Sequence, residues 1–180
     1  MNVVEPIRNK KDLKLVEEIL KKQNFRKFLL FNVGTNSGLR ISDILSLNVK
    51  DVKNKNYIDI VEKKTGKRKK FPINKKLKLM FKKFTRDRNK DEPLFMSKFG
   101  NRMERTQCYR IIHNACKQAG IDYKTGCHSL RKSFGYHMYK KFNDVALLQK
   151  ILSHSSPAVT LRYIGINQDI IDESYNKFVL

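Results

Sequence analysis

The sequence predicts an α+β protein, mostly helical, with one small antiparallel β-hairpin. Three observations predict it. Apolar residues recur at three- and four-residue spacing over most of the 180-residue chain. Between Tyr57 and Ile73 that rhythm gives way to alternation around a Thr65-Gly66 turn. Gly and Pro are sparse, at 8 and 4 residues, and no repeat or low-complexity linker divides the chain, so a single domain over 1–180 is expected. Within it, 1–9 reads as a leader and 166–180 as a C-terminal tail helix.

In chain order, Asn9 and Asp12 mark a helix start, and Leu13, Val16, Ile19 and Leu20 recur at helical spacing behind them. A second helix is expected from Phe25 to Thr35, with Phe28, Leu29 and Phe31 buried. Gly38 interrupts it, and GLRISDILSLN resumes as a short helix with Ile41, Ile44, Leu45 and Leu47 turned inward. In the hairpin, Gly66 supplies the positive φ that a tight turn demands, and Pro72 belongs at a strand end because it cannot donate to a ladder. NKKLKLMFKKF is amphipathic through Leu77, Met80, Phe81 and Phe84. EPLFMS reads as one more strand or an extended loop. Thr106 opens a helix that Gly120 stops. HSLRKSFGYHMYKK turns Leu130, Phe134, His137 and Met138 to one face, and VALLQKILSH turns Val145, Leu148, Ile151 and Leu152. Finally, Ile171, Tyr175 and Phe178 form an apolar stripe that must dock on its own domain or on a neighbour.

The charge balance narrows the function. Lys and Arg number 39 against 17 Asp and Glu, a net +22. Self-repulsion of that size destabilises a compact chain, so the surface answers to a polyanion, nucleic acid first and an anionic membrane second. The most apolar run, Phe28 to Val33, is far short of the roughly 20 residues of a spanning helix. The N-terminus lacks the basic-then-apolar layout of a signal peptide. Cys108, Cys116 and Cys127 form no CxxC pair and are odd in number, which points to reduced thiols in the cytoplasm. A zinc site from Cys127, His128 and a distant cysteine lacks the usual ligand spacing.

The stretch Cys127 to Tyr163 gathers His128, Arg131, His154 and Tyr163, and Arg40 and Lys64 stand upstream. Cutting a phosphodiester without metal needs fixed cations on the non-bridging oxygens, an in-line nucleophile and a proton donor for the leaving oxygen. Two guanidiniums, two imidazoles, a lysine and a phenol meet those needs. His128 and Arg131 stand three apart at a helix start, so both can face one phosphate. Asp43 stands three after Arg40, where a carboxylate can orient the site. Lys64 lies just before the hairpin turn. No carboxylate cluster offers a Mg²⁺ site. Lys63, Lys67, Arg68 and Lys132 are the further candidate DNA contacts. His113 and His137 lie on apolar helix faces and read as structural. Taken one at a time, each cation reads as a solvated charge. Composition and spacing therefore stop at a basic, nucleic-acid-binding α+β domain that could carry phosphodiester chemistry.

At these residues the chain resembles the tyrosine recombinase (phage integrase) family over about Phe25 to Gly165. TNSGLRISDILSLNVKDV resembles the family's first arginine segment, which implies Arg40 as the first catalytic arginine and Asp43 as its acidic companion. KKTGKRKKFPI resembles its β-hairpin and implies Lys64 as the lysine that protonates the leaving 5′ oxygen. HSLRKSFGYHM resembles its HxxR box, with His128 handling a proton and Arg131 as second arginine. LSHSSPAVTLRY resembles its terminal box, with His154 as transition-state donor and Tyr163 as nucleophile. Ser153 departs from the glycine common before that histidine.

The resemblance implies the tyrosine recombinase catalytic-domain fold and a site-specific recombinase or integrase of a phage or mobile element. It implies a 3′-phosphotyrosyl intermediate, no ATP, metal or other cofactor, and double-stranded DNA as partner. It also implies a tetrameric synapse, in which the tail helix either passes to a neighbouring protomer or packs on its own domain. The N-terminal DNA-clamping domain of larger members is not seen here. Neutralising about eight phosphates would give affinity a log-log salt slope of about −7. Two other readings are a type IB-like topoisomerase and a non-catalytic DNA-binding or accessory module that keeps the fold.

Overall fold

The computed structural model of the chain describes residues 4–166 and 175–178. Helix α1 (Lys10–Gln23) is capped by Asn9, whose side chain accepts from the Lys11 amide at 2.8 Å. Asn24 both ends α1 and caps α2 (Phe25–Ser37). The expected second helix thus runs two residues past Thr35, and Phe28 is half-buried where full burial was expected. Gly38 stops α2 in the left-handed region at φ 63°. Helix α3 (Ile41–Ser46) and a 3-10 turn (Val49–Asp51) follow.

Strands β1 (Tyr57–Val61) and β2 (Arg68–Pro72) pair antiparallel, with Ile58 opposite Phe71 and Ile60 opposite Lys69. Gly66 sits at φ 66° in the turn, and Pro72 is the last residue of its strand. The stretch EPLFMS forms no regular strand. It is extended, with isolated bridges pairing Asn48 with Pro93 and Met96 with Arg102.

After α4 (Lys75–Thr85) come α5 (Arg105–Gln118), α6 (Cys127–Phe142), α7 (Val145–Leu152) and α8 (Pro157–Ile164). Helix α5 starts one residue before Thr106. That hydroxyl bonds the Glu104 carboxylate at 3.3 Å instead of capping. Among the described residues no helix is long and apolar enough to cross a membrane.

Two apolar clusters hold these elements. The larger gathers α1 to α5, the hairpin and Leu130 of α6. The smaller joins Leu148, Leu152, Ile164 and Ile166 with Phe134, Met138 and Tyr163 packed against it. Helix α6 therefore belongs to both. Its approach to α2 needs Gly34, since a Cβ there would lie 2.5 Å from Leu130 Cδ1 and 2.8 Å from Leu130 Cβ. Of the terminal stripe, Tyr175 and Phe178 are 81% and 72% exposed, and Ile171 lies outside the described residues.

Ser153 closes α7 at φ 52°, ψ 45°, a left-handed conformation. Side chains with a Cβ adopt it at a cost of about 1–2 kcal/mol. Ser153→Gly should therefore raise stability by about 1 kcal/mol in a urea titration. Gly38→Ala should lower it by about 2 kcal/mol, because a Cβ there would also meet the Phe134 ring at 2.5 Å.

Candidate active site

Arg131 organises the site. It is only 3% exposed and projects from the first turns of α6. Its Nη1 donates to the Gly38 carbonyl at 2.7 Å and its Nη2 to the Leu152 carbonyl at 2.5 Å. Both acceptors are helix C-terminal carbonyls, where the backbone dipole favours a cation. The guanidinium thus ties the end of α2 to the end of α7. A guanidinium carries five N–H donors, so further donors remain for another oxygen.

Arg40 stands two residues past Gly38, at the start of α3, and reaches the same place. Its charge is felt at Arg131, His154 and Tyr163. Its carboxylate partner is Glu62, at 2.8 Å between Nη1 and Oε1. This ion pair at contact distance, with the Thr65 hydroxyl and Lys69, holds the Glu62 carboxylate below its usual pKa against burial. Asp43, the expected companion, is fully buried and turns elsewhere: its Oδ1 accepts from the Lys63 amide at 3.0 Å and so fastens the hairpin.

His154 and Tyr163 meet edge to face, with ring centroids 4.8 Å apart at 72°. His154 Nδ1 lies 3.2 Å from the Thr160 hydroxyl. The Thr160 hydroxyl donates to the Ser156 carbonyl at 3.1 Å, so it accepts from His154 Nδ1–H, and Nε2 keeps its lone pair in the neutral ring. Burial, then Arg131, Arg40 and Lys69, push the His154 pKa down to about 4, so the ring is neutral at pH 7. Burial raises the Tyr163 phenol above its usual 10 although Arg131 and Arg40 pull it down. The phenol is protonated in the resting site.

His128 is on the exposed rim, its Nε2 3.4 Å from Arg105 Nη2. Guanidinium only donates, so Nε2 accepts and the imidazole is neutral. Desolvation on its inner side, followed by Arg105, Arg131, Lys132 and Lys64, holds its pKa below 6.5. Lys64 itself is exposed beside the hairpin turn, as are Lys63 and Lys67. The other two candidate DNA contacts are engaged. Arg68 makes a two-pronged pair with Asp59 at 2.9 and 2.8 Å. Lys132 is 7% exposed, with Nζ 5.4 Å from the centre of the Tyr163 ring.

Three residues of the site were not singled out from sequence: Glu62, Lys69 and Arg105. Lys69 lies inside the hairpin, its Nζ donating to the Ile151 carbonyl at 2.5 Å and 3.7 Å from Glu62 Oε1. Burial and then the Arg131 charge push its pKa down to about 8. Strand alternation was the available signal, since Ile58, Ile60 and then Glu62 fall on one face, opposite Phe71 and Lys69. Among the described residues no group of three or more His, Cys, Asp or Glu gathers as a metal site would require, and all three cysteines are buried and free.

A basic protein that collects two guanidiniums, two imidazoles and a phenol from distant stretches defines a class: proteins equipped to grip and attack a phosphodiester. Comparison with known proteins narrows it. The phage integrase family model matches residues 7–169, and the chain belongs to that family, the tyrosine recombinases. It is 44% identical over 179 residues to the probable integrase/recombinase YoeC of Bacillus subtilis, covering 99% of this chain and 98% of that protein. It is 30% identical over 149 residues to the type 1 fimbriae regulatory protein FimE of Escherichia coli, covering 79% of this chain and 75% of that one. The XerA recombinase crystal structure superposes with a TM-score of 0.79 at 22% identity, over 97% of this chain and 66% of that chain. The catalytic domain of bacteriophage HP1 integrase superposes with a TM-score of 0.68 at 19% identity, over 97% and 95%. Those two likenesses establish the fold. The chain spans about two-thirds of the XerA chain.

The depressed His154 pKa carries a stability consequence. Between about pH 6.5 and about 4 the unfolded chain holds a proton on this ring that the folded protein does not, so stability falls as pH drops through that window. His128 and His137 are also held low and add to the slope. Urea titrations from pH 7 to 4 should show a shallower loss for His154→Gln than for the wild type.

Proposed function

We propose that the protein breaks and rejoins double-stranded DNA at a specific site through a 3′-phosphotyrosyl intermediate. The convergence of Arg40, Arg131, His154 and Tyr163 on one place carries the reading. Arg40 and Arg131 hold the non-bridging oxygens of the scissile phosphate, with donors aimed where charge grows in the transition state. His154 adds a donor through Nε2 once the phosphate's charge draws its imidazole to the protonated form. The Tyr163 oxygen attacks phosphorus in line, forming the Oη–P bond as the P–O5′ bond breaks. The phenolic proton goes to the neutral His128 imidazole, and Lys64 gives a proton to the departing 5′ oxygen. The 5′-hydroxyl of a partner strand then attacks the same phosphorus and releases the tyrosine. The covalent link conserves the bond's free energy, so the cycle needs no cofactor.

Lys63 and Lys67 meet the DNA backbone beside the site. Lys132 supports the tyrosine ring, and Asp43 supports the hairpin from behind. Recombination requires two duplexes, and the working assembly is a tetramer on DNA. Free thiols and a DNA substrate fit the cytoplasm. A XerH recombinase that superposes on this chain was captured after cleavage of its palindromic difH substrate, and a lambda integrase as a dimer on a core site. The relatives' names favour neither a topoisomerase nor a silent accessory module.

A randomised library of nicked duplexes tests this reading and identifies the target site in the same experiment. Wild-type protein should form adducts that survive denaturation and whose DNA converges on one sequence. Tyr163→Phe should form none. Equal trapping by Tyr163→Phe would overturn the assignment.

A further inference from the structure

The proposed reaction places its proton donor, Lys64, on an exposed turn, where a long side chain samples many positions. Proton transfer at a scissile bond needs that turn to be held still. Among the described residues, a carboxylate ties the tip of that turn to the phosphate-gripping cations. Glu62 is 0% exposed, which is rare for its type. Its side chain reaches both ways. Oε2 accepts from the Thr65 hydroxyl at 2.8 Å, and Oε1 stands 2.8 Å from Arg40 and 3.7 Å from Lys69. Its backbone closes the same turn, with N donating to the Lys67 carbonyl at 2.9 Å and O accepting from the Gly66 amide at 2.8 Å. Lys63, Thr65, Gly66 and Lys67, the neighbours of Lys64, are thereby bonded into the turn or to the body.

We propose that Glu62 is a positioning residue which, through Thr65, locks the Lys64 turn against Arg40 so that the donor faces the leaving oxygen. This inference rests on the reading of Lys64 given above. The charge pattern supports it. Burial opposes ionisation of Glu62, yet Thr65, Arg40 and Lys69 hold its pKa below the usual carboxylate value, so it is anionic. Glu62 meets Arg40 through Nη1 alone, which leaves the other N–H groups of that guanidinium for the phosphate. Glu62 thus grips Arg40 by charge and the turn by a directed hydrogen bond. A carboxylate here screens Arg40 from Lys69 and, in the same position, couples the gripping group to the protonating group.

The test uses the duplex recovered from the library, prepared with either oxygen or sulfur bridging to the 5′ carbon at the scissile phosphate. A thiol has a free pKa of about 8.5, far below an alcohol's, so the sulfur leaving group departs without a proton donor. Thr65→Val at the exposed turn and Glu62→Gln should slow adduct formation on the oxygen substrate by about tenfold or more. On the sulfur substrate both should return to within about threefold of wild type, and DNA affinity should stay within about twofold in gel shifts. Lys64→Ala should show the same pattern with a larger defect. Equal slowing on both substrates, or no slowing, with Lys64→Ala still rescued by sulfur, would overturn the role of Glu62 alone. Failure of sulfur to rescue Lys64→Ala would overturn the assignment of Lys64, and the positioning role with it. Should Glu62→Gln fold poorly, Thr65→Val decides.

Discussion

The fold depends on one guanidinium at a seam. Arg131 joins the C-terminal carbonyls of α2 and α7, which belong to different apolar clusters. Apolar packing alone gives two such clusters no fixed orientation, since burial is non-directional. Two hydrogen bonds from a rigid planar fork supply direction. They also explain why Gly38 must leave α2 in the left-handed region: the turn aims its carbonyl at Arg131 and delivers Arg40 two residues later. A structural bond and a functional site are here the same atoms, so loosening either cluster moves the site.

The site is positive before any ligand arrives. Arg40, Arg131 and Lys69 face one another, and Glu62 is the anion in contact with two of them. The strain appears in the neighbours: His154 is pushed down to about 4 and Lys69 down to about 8, each by burial first and then by arginine charge. An anion placed among these groups relieves all of them at once, because it favours their charged forms. Preorganised repulsion of this kind suits the site to an anion, and the wider +22 charge suits the surface to a polyanion.

Much of this was legible in the sequence because local rules governed it. The Thr65-Gly66 turn, the place of Pro72 and the cap at Asn9 follow from backbone chemistry that neighbours rarely override. The HxxR and terminal boxes were readable through their resemblance to the family's, with His128 and Arg131 three apart at a helix start. Lys69 and Glu62 were hidden for a physical reason. In a chain with 39 basic residues a lysine carries no signal of burial, and only strand register reveals that it points inward. Asp43 was found but its contact was not. Three residues of separation places it near Arg40, yet the hairpin backbone competes for it and wins. Thr106 does not cap its helix because a carboxylate beside it takes its hydroxyl.

The phenol poses the last constraint. Burial holds Tyr163 protonated, and a phosphate entering between the arginines weakens the positive field that would otherwise ionise it. As the proposed nucleophile it therefore cannot be activated by charge alone; something must take its proton as it attacks. Among the nearby groups the arginines have none to accept with, Lys132 is a cation over the ring, and on the proposed reading His154 serves the phosphate as a donor. On that reading His128 takes the proton, held neutral by desolvation of its inner side, by Arg105 and by the surrounding charges, with a lone pair that Arg105 must release. On the proposed reading, DNA phosphates competing for Arg105 free that lone pair. The base would then become available only when the substrate is in place.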